Sequence, residues 1–228
     1  MAKLRTPLSR EQVLRAAVGL ADQSGFESLT MRKLGRALGV EAMSLYHHVV
    51  GKDVLLDDMI DLVWGEVALP PARGGWRAAI RRTAVSAHKT LLRHPWACGL
   101  TISSGRIHPA RLRYIDAILA RLDGAGLPAA LTYHAYHAID SHIIGFSMWV
   151  NGHTTGAGKR DERVMATAMR HVAQECPHLA EHIRQHRSTA GRGRTDEFTL
   201  VLDFILDGLD QARGCAPGPG RHDVTSGR

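Results

Sequence analysis

The chain has 228 residues, 44% of them apolar, and carries 29 basic against 22 acidic side chains for a net charge of +7. That length suits one large domain or two small ones with a real core, and the apolar share excludes a chain that stays unfolded. The most apolar stretch, 143–150, is far short of the ~20 residues that a membrane span requires.

The charge excess sits at the front. Residues 1–52 hold Lys3, Arg5, Arg10, Arg15, Arg32, Lys33, Arg36 and Lys52 against Glu11, Asp22, Glu27 and Glu41. A basic N-terminal module suits a polyanionic partner, and a solvated basic surface is the plainer alternative. Cys98, Cys176 and Cys215 are odd in number, far apart and without zinc spacing, which suggests reduced thiols. The opening MAKLRTPLSR has no apolar signal core. The expected compartment is the cytoplasm, with no membrane partner.

In chain order, Ser9-Arg10-Glu11-Gln12 fits a capping box, and Val13, Ala17 and Leu20 then share one helical face until Ser24-Gly25. Thr30 is the expected N-cap of a second helix over 30–38, with Leu34, Ala37 and Leu38 on its apolar side. Gly39 supplies a tight corner where a residue without Cβ takes positive φ. A third helix is expected over 41–48, anchored by Val40, Leu45 and Val49, and Gly35 leaves room for the two to approach closely. Residues 29–52, LTMRKLGRALGVEAMSLYHHVVGK, therefore read as a helix-turn-helix whose second helix can project into a major groove.

A fourth helix over about 52–68 has the stripe Leu56, Met59, Val63 and Val67. Asp53, Asp57 and Asp58 favour its positive end, and Pro70-Pro71 stops it. Helices are then expected over 76–93, 96–103, 109–123, 128–151, 160–174 and 195–212. Loops are expected at 152–158 and 188–194, with a Gly/Pro-rich disordered tail over 214–228. No strand alternation or internal repeat appears, so the expected fold is all-α with nine or ten helices.

The motifs over 9–68 resemble the tetracycline-repressor (TetR) family of bacterial regulators. The likeness rests on Ala16-Ala17, Gly25-Phe26, the run Leu29-Thr30-Met31-Arg32-Lys33-Leu34, Leu38-Gly39-Val40, Leu45-Tyr46-His47-His48-Val49, Gly51-Lys52 and Leu55-Leu56. A looser resemblance to the tetracycline-repressor-like C-terminal domain spans about 76–156, on Trp76, His94-Pro95-Trp96, Leu119-Ala120-Arg121-Leu122, Gly126-Leu127 and Gly145. The resemblance implies an N-terminal three-helix helix-turn-helix DNA-binding domain, 1–52, on a helical ligand-binding and dimerisation domain, 53–213.

If Leu45 and Val49 point inward, Met43 and His47 point outward with Ser44 and Tyr46 at the flanks. Ser44 and Tyr46 can donate to phosphate, Met43 offers apolar contact to a thymine methyl, and Arg32 can reach a phosphate or a guanine edge. The resemblance implies contacts from Thr30, Arg32, Ser44, Tyr46, His48 and Lys52. Lys52 also opens a helix whose free N–H groups attract phosphate. Ala42, Met43 and His47 depart from the tetracycline repressors at the reading positions, so their operator sequence is not inherited.

The helix over 128–151 places Tyr133, His134, Tyr136, His137, Asp140 and His142 among apolar residues. A buried unpaired Asp is costly, so Asp140 needs water, a partner such as His137, or a ligand. His134, His137 and Asp140 are three apart. They could bind a metal or line a cavity or interface; the polar-patch reading is preferred, and no metal or cofactor is expected. Trp64, Thr83, Ala87 and Leu91 are the other expected pocket walls, with Tyr133, His134, His137 and Asp140, around an unknown small-molecule effector. Where the resemblance implies a metal-binding His in the tetracycline repressors, this chain has Ile102, with His108 at another offset, which argues against tetracycline as effector.

The resemblance further implies a homodimer through the long and last helices. Val201, Ile205 and Leu209 are the expected anchors, with Phe198 beside them. Such a dimer would set two recognition helices on an inverted-repeat operator of double-stranded DNA. The function expected is a ligand-responsive regulator, repression being the family's commoner habit. Two rival readings are an all-α enzyme using the His/Asp-rich helix and a scaffold with weak DNA affinity. Neither HExxH nor a nucleophile elbow is present, and Gly156-Ala157-Gly158-Lys159 lacks the strand and the Ser or Thr of a phosphate loop.

Overall fold

Every regular element among the described residues is helical. The computed structural model describes residues 7–71, 73–106, 108–155, 171–188 and 194–215. The helices are α1 (Arg10–Ser24), α2 (Met31–Leu38), α3 (Ala42–Leu45), α4 (Lys52–Gly65), α5 (Trp76–Arg93), α6 (Pro95–Ser103), α7 (Pro109–Asp123), α8 (Ala129–Thr155), α9 (Pro177–Ser188) and α10 (Arg194–Cys215), with a 3-10 turn at Phe26–Ser28. No described helix is long and apolar enough to cross a membrane.

Local chemistry sets the front of the chain. Ser9 closes its capping box on Gln12 in both directions, at 2.8 and 3.2 Å. Thr30 Oγ1 accepts from Lys33 N (3.2 Å) and starts α2. Gly39, at φ 66°, ends it in the left-handed conformation. Leu34 and Leu45 are buried with Val13, Ala17 and Leu29, which locks α2 and α3 onto α1. α4 then packs on α1 with one side and on α7 with the other.

Behind this head, α5, α7 and α10 pack on α8, the longest helix at 27 residues and about 40 Å. The inner face of α8 is Ala135, Ile139, Ile143, Ser147 and Val150, all buried. Arg77 and Arg81 of α5 tie α10 down through Asp203, Asp207 and Asp210.

Three expected boundaries shift. α3 spans one helical turn rather than 41–48, because 46–48 tighten into i→i+3 bonds such as Tyr46 N→Met43 O (3.2 Å). α4 stops at Gly65, although Val67 beyond it is still buried. α8 runs to Thr155, since buried Val150 and the Asn151 side-chain amide, which donates to the Leu91 carbonyl (3.2 Å), hold its end on the core, so 152–155 are helix rather than loop. The 156–159 tetrapeptide, most of the helix expected over 160–174, the 189–193 break and the 216–228 tail lie outside the described residues.

Candidate DNA-facing surface and interior polar sites

The helix-turn-helix holds its outward side chains on a tightly packed hinge. A Cβ on Gly35 would meet Val40 O at 2.8 Å and Ala42 N at 3.2 Å, so only glycine permits this approach of α2 to α3. With Leu45 and Val49 buried, Met43 (74% exposed), Tyr46 (47%) and His47 stand in solvent. Thr30, Arg32 and Lys52 are exposed, and Ser44 and His48 are half-buried. Gly51 offers no side-chain cap to α4, so the N–H groups beside Lys52 are open to an anion. Exposed Thr30, Arg32, Met43, Tyr46, His47 and Lys52 thus lie in a short stretch of chain rich in donors and positive charge.

A polar joint links this head to the body. Asp22 Oδ1, on α1, accepts from the Trp96 indole (2.7 Å) and from His94 Nδ1 (2.9 Å). The other ring nitrogen of His94 lies 3.3 Å from Glu66 Oε2, which Arg93 also grips at 2.6 Å. A carboxylate only accepts, so the imidazolium form of His94 satisfies both. Burial works against ionisation of Glu66, yet the bonds and charge of Arg93 and His94 outweigh it and hold the carboxyl below its usual range. Clefts of about 840 and 650 Å3 flank the joint. The sequence reading missed this joint; Asp22 on an otherwise amphipathic helix and the His94-Pro95-Trp96 corner were its only traces.

Inside the body, α4, α6, α7 and α8 converge on Trp64. Its indole donates to Thr101 Oγ1 (3.0 Å), the Tyr114 ring lies 5.0 Å away, and the Arg111 guanidinium stacks over it at 4.1 Å. Arg111 Nη2 reaches Asp140 Oδ2 at 2.5 Å. The partner of Asp140 is therefore Arg111 and not His137. Arg111 Nη1, Tyr114 Oη, Thr132 Oγ1 and Asp140 Oδ1 are buried with no contact at full hydrogen-bond geometry, as are Thr83 Oγ1 and His88 Nε2 on α5. Ser147 donates to Ile143 O (2.6 Å), so it accepts from His88 Nδ1 (2.8 Å) and leaves His88 Nε2 a bare acceptor. Burial, then the charges of His142 and Lys89, push His88 down to about 4.

Trp64, Thr83, Ala87 and Leu91 are buried in this interior. Tyr133, His134 and His137 are not: they stand exposed on the outer face of α8, Tyr133 over His137 at 4.4 Å. The reason is helical phase, since burying Ala135, Ile139 and Ile143 turns 133, 134 and 137 outward. Among the described residues no group of three His, Cys, Asp or Glu could hold a metal ion. Ile102 is exposed and His108 bonds Ser104 (2.6 Å).

The expected dimer anchors divide likewise. Val201 is exposed and Ile205 half-buried, but Phe198 and Leu209 are buried in the chain's own core. Phe198 lies stacked between His88 (4.1 Å) and His142 (4.7 Å). The outward residues of α10 are Leu200, Val201 and Phe204 (64% exposed), and on α8 Met148 and Trp149 join Tyr133. Arg111, Tyr114 and His88 went unnoticed in the sequence. Tyr114 sits on the buried stripe Ala110, Tyr114, Ile118 and Leu122, a polar tip in an apolar row that was the signal available.

Residues 13–59 match the pattern of bacterial regulatory proteins of the tetR family, and 70–213 that of the tetracyclin repressor-like C-terminal domain. An HTH-type transcriptional regulator of Saccharopolyspora erythraea is 35% identical over 208 residues, covering 89% of this chain and 78% of its own length. The crystal structure described as a possible TetR family transcriptional regulator from Streptomyces coelicolor A3(2) superposes with a TM-score of 0.72 at 27% identity, over 89% of this chain and 99% of that one. The S. coelicolor TetR family protein ActR, solved in complex with actinorhodin, shares the fold at a TM-score of 0.69 and 24% identity, over 92% of this chain and 100% of that one.

Proposed function

The chain belongs to the TetR family, transcriptional regulators rather than enzymes, and from that premise we propose that it is a repressor released from an inverted-repeat operator by a small molecule. The carrying observation is the outward group on the Gly35-tight helix-turn-helix: Met43 and Tyr46 are large, exposed, and beside Arg32 and Lys52. Core-forming residues do not explain such exposure; groove contact does. In this reading Met43 and His47 face bases, while Thr30, Arg32, Ser44, Tyr46, His48 and Lys52 hold phosphates and set register.

Residues 1–52 act as the reading module and 53–213 as the ligand-binding and dimerisation part. The dimer forms through the outer faces of α8 and α10, centred on Val201, Ile205, Leu200 and Phe204 rather than on Phe198 and Leu209. The effector sits in the interior bounded by Trp64, Thr83, Ala87, Leu91 and Asp140; the complex of ActR with actinorhodin gives the fold a precedent for holding a small molecule. α4 carries the signal, since Lys52 begins it and Trp64 lies near its end; coupling of ~1–3 kcal/mol between sites is typical.

The test is a gel shift of the purified chain with the intergenic DNA beside its own gene, followed by a screen for compounds that release it. Tyr46→Ala should weaken the shift at least about tenfold, from the ~1.5–3 kcal/mol of a hydrogen bond to a charged group, with the dimer unchanged in gel filtration. An unaltered shift removes Tyr46 from the docking surface.

A further inference from the structure

We infer that the effector is an uncharged molecule presenting a hydrogen-bond donor next to an acceptor, as a primary amide does, and that it seats on Arg111 and Asp140. This rests on the ligand-responsive reading above.

The Arg111–Asp140 pair touches at one point, Nη2 to Oδ2. Nη1 keeps an N–H to give and Oδ1 keeps lone pairs to fill; both are buried with no contact at full hydrogen-bond geometry, the Tyr114 hydroxyl lying beside Arg111 and the Tyr136 hydroxyl beside Asp140. A buried charged pair is tolerated when its remaining donors and acceptors are met. One planar group with a carbonyl beside an N–H meets both at once. The Thr132 hydroxyl, buried and unpartnered, and the Tyr114 hydroxyl beside Arg111 can take a further oxygen.

Charge decides the class. The guanidinium and carboxylate balance each other, and the surrounding groups add no charge. Burial, reinforced by Asp140, raises Tyr114 and pushes Tyr136 up to about 12, so both phenols stay neutral. An anion would lie against Asp140, and a cation against Arg111, each in a site with little water to screen it. Trp64 and Tyr114 supply an aromatic wall, and Arg111 rests on the Trp64 ring. An occupant of this seat is therefore one side chain from α4.

Benzamide, benzoate and benzamidinium share one shape and differ in charge, so they are the probes. In ligand-observed NMR titrations of the full chain, benzamide should bind at least about tenfold more tightly than either ion. Asp140→Asn leaves Arg111 uncompensated and should reverse the order, with benzoate first. Tyr114→Phe keeps the charge balance and should weaken benzamide a few-fold without changing the order; it serves as the test if Asp140→Asn does not fold. Equal affinities, or an ion binding best to the wild type, overturn the proposal. So does no binding of any probe, which means that buried water alone fills the seat. Release of operator DNA by a charged compound would leave the regulator standing and sink this seat.

Discussion

Two residues show how little latitude single positions have. Gly35 is fixed by contact: a methyl group 2.8 Å from the Val40 carbonyl cannot be absorbed by a side-chain rotation, because its neighbours are backbone. Gly35→Ala should lower the melting temperature by several degrees and cost operator affinity, checked by circular dichroism and gel shift. His88 is fixed by electrostatics. The unfolded chain takes up a proton near 6.5, whereas the folded chain resists until about 4. The stabilising effect of neutral His88 is therefore complete above 6.5 and is lost as pH falls toward 4, by up to about 3 kcal/mol. Urea midpoints should drop between pH 7 and pH 4.5, and the drop should be smaller in His88→Phe, which keeps a ring against Phe198.

At the level of elements, α8 owes its character to phase. Its inner row packs on α5, α7 and α10, its flank carries Asp140 to Arg111, and its outer row holds Tyr133, His134 and His137. The sequence pattern grouped His134, His137 and Asp140 because they are three apart, but Asp140 turns inward and the histidines do not. The α1–α6 joint is the second lesson. Asp22 serves both the Trp96 indole and His94, so Asp22→Ala strands two buried donors at about 1–3 kcal/mol. The expected result is a lower melting temperature and an operator complex less readily released by effector, read from dose–response curves.

For the whole molecule, α8 and α10 pack on each other, and Trp149 on α8 with Leu200, Val201 and Phe204 on α10 leave exposed apolar surface along this pair. In the proposed dimer a second copy covers it and brings a second reading head. Phe204 is exposed in the single chain, so Phe204→Glu should leave the fold intact and yield monomers in gel filtration. With one head lost, operator affinity should fall at least about tenfold, because the second binding event no longer occurs within one complex. An unchanged oligomeric state would remove Phe204 from the interface.

Sequence by itself determined the helical class, the helix-turn-helix and the basic front. Those depend on caps, glycines and apolar spacing within about ten residues, and Ser9, Thr30, Gly35 and Gly39 act as that spacing requires. Tertiary structure alone decided who faces whom across the chain. Asp140 found Arg111, 29 residues away, and Asp22 found Trp96, 74 away. Phe198 was claimed by the stacked rings of His88 and His142. Periodicity marks an apolar face, but it does not say whether that face meets its own core or another molecule, because the choice depends on the rotation each helix takes when all of them pack together.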